Sequence, residues 1–576
     1  MNAPSKRRRL LVTTVAAAGV ALVAVAGGFA ANGSASKQAA KDTLIVLTPH
    51  IAPALNPDGT AANDPGQWLI GRNTADKLVE YRTKNVAGIN IPNYGVAQDD
   101  FKGQLAASYK RVGTTFTFTL KQGVKSCVGN ELTAEDVVYT FARGKSVSGA
   151  SPVAWFLGNV ASVLPLDPLI SKDPKAKELK GEVTAVDKYT VKIKQMNPNG
   201  LFPRVSEIFA LEIFDSVEMK KHATAKDPWS QTWNDTQGIA GFGAYCVSKW
   251  IKGSELDLQA NPNYNWGSKP QFTKVVLRQV PSNSSRIAAL RGGSADIAQD
   301  LSPTEYQSLS TDPKVNVWGT YNNQTTWIHL NYKVAPWNLP NNKYLRQAIA
   351  YAIPYQDIIT SIYKGDARFW YGHAPSSYYG YSPIKRYSFD LDKAKAALVK
   401  AGFPQGKGLE KYAAGMQLVY PAENSATLEP FANIIRTNLA KIGVSMSLNP
   451  IPLGQFQDRH LAKKDIPVAI VDFGAPFAPD TGYAQQLFYA SVDKGGLTNS
   501  ENYSNPKFDA LVDQSKKTSG AARLAILKKA ALIQMDELPT IPVVEWKSHL
   551  ATRKGISGWT LTSDNTLVFA NFKSAS

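Results

Sequence analysis

The six histidines, His50, His222, His329, His373, His460 and His549, lack the His-x-x-x-His spacing that turns two imidazoles toward one metal on a helix. Neither Gly-x-Ser-x-Gly nor Gly-x-x-x-x-Gly-Lys occurs, so the chain offers no nucleophile elbow and no phosphate-cradling loop. Gly241-Phe-Gly243-Ala-Tyr-Cys246 opens like a dinucleotide fingerprint but ends on Cys and runs into β-type residues. It reads as a tight turn entering a strand. The carboxylates of Asp99-Asp100 and Glu135-Asp136 are adjacent. Neighbours on a strand face opposite sides and at a helix start they cap, so neither pair makes an acid and base team. Two cysteines, Cys127 and Cys246, are too few for a thiolate zinc or iron–sulfur site. No enzyme activity, cofactor or metal is expected. What remains is recognition, for which 12 Trp, 24 Tyr and 22 Phe are a generous supply.

The elements that must position those side chains alternate short β runs with amphipathic helices from Thr43 on, without internal repeats. Thr43–Thr48 reads as a buried strand, Thr115–Leu120 as a half-buried strand by its strict alternation, and Val183–Lys194 as a strand pair around Asp187-Lys188. Thr133, with Asp136 three residues on, starts a helix whose inner face is Val137, Val138 and Phe141. Further helices are expected over Ser285–Leu290, closed by Gly292-Gly293, and over Lys343–Ala352, Asp390–Ala401, Leu428–Ile442, Lys507–Ser515 and Ala521–Asp536. Pro539–Val544 is an apolar strand-like run. The chain's 576 residues allow roughly three to five units at about 100–200 residues each.

Lys6-Arg-Arg-Arg9 precedes an uncharged Ala/Val/Gly stretch from Leu10 to Ala31 and small residues at Gly33-Ser-Ala35. That is the layout of a signal peptide over residues 1–36; an uncleaved anchor is the rival, and the Arg pair also permits twin-arginine export. No Cys lies near the cut, so lipid attachment there is not expected. Four of the +18 formal charges belong to the leader and the rest are scattered, which disfavours nucleic acid as a partner. Outside the cytosol Cys127 and Cys246 can pair, and a disulfide is expected.

Several blocks in order resemble the extracytoplasmic solute-binding proteins of ABC importers, in the oligopeptide/dipeptide/nickel class (family 5). They are Leu105-Ala-Ala-Ser-Tyr109, Leu132-Thr-Ala-Glu-Asp-Val-Val-Tyr-Thr-Phe141, Gly241-Phe-Gly-Ala-Tyr245, Asn261-Pro-Asn-Tyr264 and Arg286–Asp296. Leu345–Ala352, Asp392–Gly402, Tyr503-Ser-Asn-Pro506 and Leu538-Pro-Thr-Ile-Pro542 complete the set. The resemblance implies an α/β, two-lobed periplasmic-binding-protein-like fold with a hinge that closes on solute. Lobe I is expected over 41–75, 201–318 and 536–576, with 76–200 as an inserted subdomain, and lobe II over 319–535. The hinge crossings would fall near Gly319–Tyr321 and Glu537–Pro542. The implied function is capture of a small peptide-like solute, by a monomer, for delivery to an ABC transporter permease in the membrane.

In peptide-binding relatives a loop after the first strand lines the cleft, which points here to Asn63, Asp64 and Trp68. A second-lobe segment supplies an Asp for the peptide ammonium. The matching run, Val471–Tyr483, puts Pro476 at that position. A buried ammonium needs a carboxylate, so Asp472 or Asp480 must substitute, or the solute lacks a free amine. Phe473, Phe477 and Tyr483 would then form an aromatic wall. Equally, these aromatics are lobe core and Asn63–Trp68 a surface loop with an anchoring Trp. An oligosaccharide or metal complex, or a wall-associated regulator without transport, are the other readings that fit.

Overall fold

The computed structural model describes residues 42–575 except 58–63, 96–100, 148–152, 166–175, 177–180, 203, 208–210, 239, 473–477 and 489–498. The expected leader therefore lies outside the described residues. Among the described residues, no helix is long and apolar enough to cross a membrane.

One eleven-stranded sheet organises the chain, in the order Tyr245–Ile251, Glu255–Ala260, Lys274–Gln279, Thr43–Thr48, Ile297–Ala298, Thr540–Arg553, Val315–Leu330, Val468–Asp472, Gln417–Pro421, Ser447–Ile451. Ala367–Phe369 pairs with Thr540–Arg553 off that path. The two central strands are antiparallel and run 16 and 14 residues, while those flanking them on the path have at most 7. Their length lets them serve both halves of the sheet. On one side Thr540–Arg553 meets Ile297–Ala298; on the other, Val315–Leu330 meets Val468–Asp472. The ladder between them slips where Tyr321 faces Lys547 and Thr325 faces Glu545, with Asn322-Asn323-Gln324 interrupting the alternation.

Gly319 belongs to this pairing for a steric reason: a Cβ there would sit 2.8 Å from the His549 ring of the opposite strand. Gly243 is similar. Its Cβ would fall 2.2 Å from the Thr74 carbonyl carbon, and the chain enters a strand at Tyr245, as expected of a turn leading into a strand.

Segment 106–194 forms a separate antiparallel sheet of four strands, Ala106–Val112, Thr115–Leu120, Thr190–Lys194 and Val183–Asp187. Alternation in Thr115–Leu120 sends Phe116 and Phe118 into the core. Helix Ala134–Ser146 begins where Asp136 Oδ2 accepts the Thr133 N–H at 2.7 Å, a reciprocal cap worth about 0.5–2 kcal/mol. Cys127 is joined to Cys246, tying the smaller sheet to the edge of the large one across a separation of 119 residues. Closing a loop that long restricts the unfolded chain by about 4–5 kcal/mol.

Helices Asn283–Gly292, Asn342–Ala352, Leu391–Lys400, Ser425–Ala440, Pro506–Lys516 and Gly520–Glu537 lie within a few residues of their expected bounds. Gly293, at φ 77°, stops the first of them in the left-handed region. One core gathers Leu44, Val46, Leu258, Val275 and Ile297; another gathers Ile328, Leu345, Leu418, Phe431 and Ile470. A third joins Phe116, Phe118 and Phe156 to Tyr378, Ala478, Tyr483 and Ala484. The inserted sheet and the 374–484 region thus share one apolar seam.

Candidate functional site

The last residue of strand Val468–Asp472 lies against the ladder slip of the central strands, because Asp472 is in register with Thr326. Asp472 Oδ1 accepts the Thr326 hydroxyl at 2.5 Å, and that hydroxyl also lies 2.7 Å from Tyr363 Oη. The Tyr363 ring stacks on Trp546 with centroids 6.2 Å apart. Burial pushes the Asp472 carboxyl up to about 6, the Thr326 bond working against it. No Lys, Arg or His of the described residues forms an ion pair with it. A desolvated, half-buried carboxylate without a cation suits an incoming one.

Asp480 is built differently. It caps the short helix Thr481–Gln486, taking the Gly482 N–H on Oδ1 at 2.7 Å. Arg523 grips it with two bonds, Nη2 to Oδ1 at 2.5 Å and Nη1 to Oδ2 at 3.0 Å. Arg204 Nε stands 3.9 Å from Oδ2, and Arg204 Nη1 donates to the Pro479 carbonyl at 3.4 Å. Asp480 and Arg204 are fully buried and Arg523 nearly so. Bidentate pairing of this kind fixes geometry as well as charge, and it occupies Asp480 internally.

Arg204 opens the turn Arg204–Glu207, and Glu207 continues the chain of charges. Arg72 reaches Glu207 at 3.4 Å and Asp564 at 3.1 Å, while Lys77 Nζ donates to the Glu207 carbonyl at 2.6 Å. Against its burial, Arg72 and Lys77 hold the Asp564 carboxyl well below the usual carboxylate range.

Trp68 and Tyr483 come together in the apolar seam, at 4% and 0% exposure. Trp68 lies on helix Pro65–Thr74, and Asp64 caps that helix by accepting the Gly66 N–H at 2.8 Å. Asp64 also lies 2.6 Å from His50 Nε2, which raises the His50 imidazole. Asn63, Phe473, Pro476 and Phe477 lie outside the described residues. Asp472 sits with Thr326 and Tyr363.

The sequence reading passed over Thr326, Tyr94, Tyr378, Arg204 and Arg523. The aromatic run Phe369-Trp-Tyr, followed by Tyr378-Tyr379, was a visible signal for one of them. The isolated arginines carried none. Among the described residues, no group of three or more His, Cys, Asp or Glu is placed to hold a metal ion.

The sequence pattern of the bacterial extracellular solute-binding proteins, family 5 (middle region) matches residues 100–495. The chain belongs to this family. It is 27% identical to the probable D,D-dipeptide-binding periplasmic protein DdpA of Escherichia coli K12, over 90% of this chain and 91% of that one. It is 25% identical to the dipeptide-binding protein of the same strain, over 78% and 81%. The crystal structure of the dipeptide binding protein from Pseudoalteromonas sp. SM9913 in complex with Met-Leu superposes at a TM-score of 0.76, with 19% identity, over 92% of this chain and 100% of that one. The fold of this family-5 protein is accordingly the two-lobed α/β binding-protein fold.

Proposed function

We propose that the protein is exported, captures a small peptide-like solute between its lobes, and hands it as a monomer to an ABC transporter permease. It acts at the periplasmic or outer face of the membrane and catalyses no reaction. The carrying observation is Asp472: a desolvated carboxylate without a cation partner, next to the slip in the two strands that cross between lobes. In this reading Asp472 receives the solute's ammonium, in place of the acid lost at Pro476. Asp480, already held by Arg523, keeps the second lobe in shape. The relatives named for dipeptide binding support a peptide-like solute.

In this reading lobe I is 41–75, 201–318 and 536–576, with 76–200 inserted, and lobe II is 319–535. We put the first crossing at the ladder slip, Tyr321–Thr325, just past the Gly319–Tyr321 read from the sequence. We put the second at Glu545–Lys547, beyond the 537–542 read from the sequence, on the ground that those residues face the slip. Trp68 and Tyr483 line the closing faces, with Asn63, Phe473 and Phe477 as candidates beside them.

Native mass spectrometry of gently purified protein, followed by thermal-shift screening of short peptides and oligosaccharides, tests this. A peptide at a hundredfold excess over its Kd adds about 2.7 kcal/mol to native stability and raises the melting temperature. A shift with glycans and none with peptides would sink the proposal.

A further inference from the structure

The four-stranded sheet has one side in the core and one side open. Alternation buries Phe116, Phe118, Val191 and Ile193 and turns their strand neighbours outward. The register then sets the outward residues in rows. One runs Lys110, Thr117, Lys192, Thr184, and the next Val112, Thr115, Lys194. All three lysines are exposed, and Val112 is 73% exposed. Lys192 and Lys194 stand about 7 Å apart along their strand, and Lys110 about 10 Å from Lys192 across two strand spacings. Arg111, which alternates to the other side, lies over the Phe116 ring at 5.2 Å.

These three lysines differ from other exposed cations of the protein, which rest against an acid. Lys102 reaches Glu80 at 2.8 Å, Lys188 reaches Glu131 at 2.9 Å, Lys249 reaches Glu255 at 2.8 Å and Lys274 reaches Asp257 at 2.8 Å. Lys110, Lys192 and Lys194 have no ion pair among the described residues. The four strands contain a single acid, Asp187, which ends the edge strand and accepts the Tyr189 N–H on Oδ1 at 2.9 Å. Glu182 stands just before that strand, where its carbonyl takes the Lys194 N–H at 2.6 Å. Between those corners the face carries lysines and threonine hydroxyls.

A single exposed lysine is satisfied by water and asks for no partner. Three on one plane, with acids only at its corners, repel one another and are relieved by an anionic surface. Shape narrows the class. A linear polyanion is held along a basic groove, whereas four strands present a broad pleated face about 14 Å wide. A plane fits a plane. Val112, on the same face, adds an apolar contact of the kind that settles at a headgroup boundary.

We propose that this face docks on the anionic phosphate headgroups of a bilayer and holds the protein beside the membrane. The inference goes beyond solute capture and holds whichever solute is bound; from the proposed function it takes only the place of action. Each lysine near such a surface tightens binding about fivefold, so three together give roughly a hundredfold. Salt screens that attraction over about 10 Å at 0.1 M.

The test is co-sedimentation of the full chain, in about 0.1 M salt, with vesicles of mixed phosphatidylglycerol and phosphatidylcholine, against vesicles of phosphatidylcholine alone. The neutral vesicles register any binding through residues 1–36, so the ratio of the two partition coefficients is the readout. Combining Lys110→Gln, Lys192→Gln and Lys194→Gln is expected to lower that ratio roughly a hundredfold. Arginine at the same three positions should preserve it. Combining Lys102→Gln, Lys249→Gln and Lys274→Gln removes the same charge elsewhere and should lower it less than about fivefold. An equal loss in the two glutamine variants would assign the attraction to net charge and overturn the proposal. So would an unaltered protein that shows no preference for the anionic vesicles, or an arginine variant that loses binding as the glutamine one does, since the changes would then act through the fold. Tighter binding to soluble inorganic polyphosphate than to vesicles of equal phosphate concentration would give the face to a polymer and overturn the bilayer as its partner.

Discussion

Asp472 and Asp480 belong to one short segment and have opposite surroundings. Asp480 is fully buried and spends its oxygens on Arg523 and the Gly482 N–H. Asp472 is half-buried, takes one hydroxyl bond from Thr326, and has a carboxyl pushed up to about 6. The first carboxylate is finished within the protein; the second is not. Proximity in sequence to a family's binding motif therefore says little about which acid meets the solute. The decisive quantity is how much of each carboxylate's bonding capacity the fold leaves over.

The sharpest way to break this contrast is Asp480→Asn. Breaking one side of a buried pair leaves a charge without compensation, here on Arg523 and Arg204, and costs about 3–5 kcal/mol. Denaturant titration should show that loss, while the variant that stays folded ranks peptides as before. Equal stability with reordered peptide preference would reverse the assignment of the two acids.

Asp472→Asn should do the converse. Native stability should stay the same or rise slightly, since an uncompensated carboxylate has been neutralised, while affinity for peptides with a free amino terminus falls about ten- to a hundredfold, the range of a charge-assisted bond. Calorimetric titration against matched free and acetylated peptides reads this directly, and acetylated peptides should show little difference between the two proteins.

Acid offers a milder version of the same test. A carboxyl raised to about 6 in the empty protein takes up a proton below that pH, which leaves no anion for an ammonium. Peptide Kd should be flat above about pH 7 and rise roughly tenfold from pH 7 to pH 5, a dependence absent from Asp472→Asn. The sign for stability is opposite. Between the ordinary Asp value near 3.8 and about 6 the folded state binds the extra proton, so this group's contribution falls as pH rises through that window.

Much of the fold was legible because it was local. The alternation of Thr115–Leu120 needed its own residues alone, as did the Thr133/Asp136 cap and the Gly293 stop. The central strands were harder. Pro539–Val544 was read as a short apolar run, but the strand continues to Arg553 through Glu545, Lys547 and His549. Those polar residues are held extended by pairing with Val315–Leu330, a segment that Gly319 and Asn322-Asn323 disguise. The site was least legible of all. Arg523 meets Asp480 across 43 residues and Arg204 meets Pro479 across 275, distances at which no motif operates. Asp472 was named as one of two candidates, and the sequence had no means of choosing between them.

The smallest effect belongs to Arg204, and it discriminates most finely between shape and recognition. Arg204 touches the 479–480 turn from the far side of the seam, by a long bond to the Pro479 carbonyl and a 3.9 Å approach to Asp480. Asp480 keeps its two bonds to Arg523 when Arg204 is removed. What Arg204→Gln weakens is the seam itself, by about 0.5–1 kcal/mol, or roughly a two- to fivefold rise in Kd. Because the loss falls on closure and not on any one solute group, free and acetylated peptides should weaken by the same factor. Calorimetry on such a pair separates the two possibilities. A common factor makes Arg204 a partner of the seam, and a loss confined to one peptide would give it a place in the binding site beside Asp472.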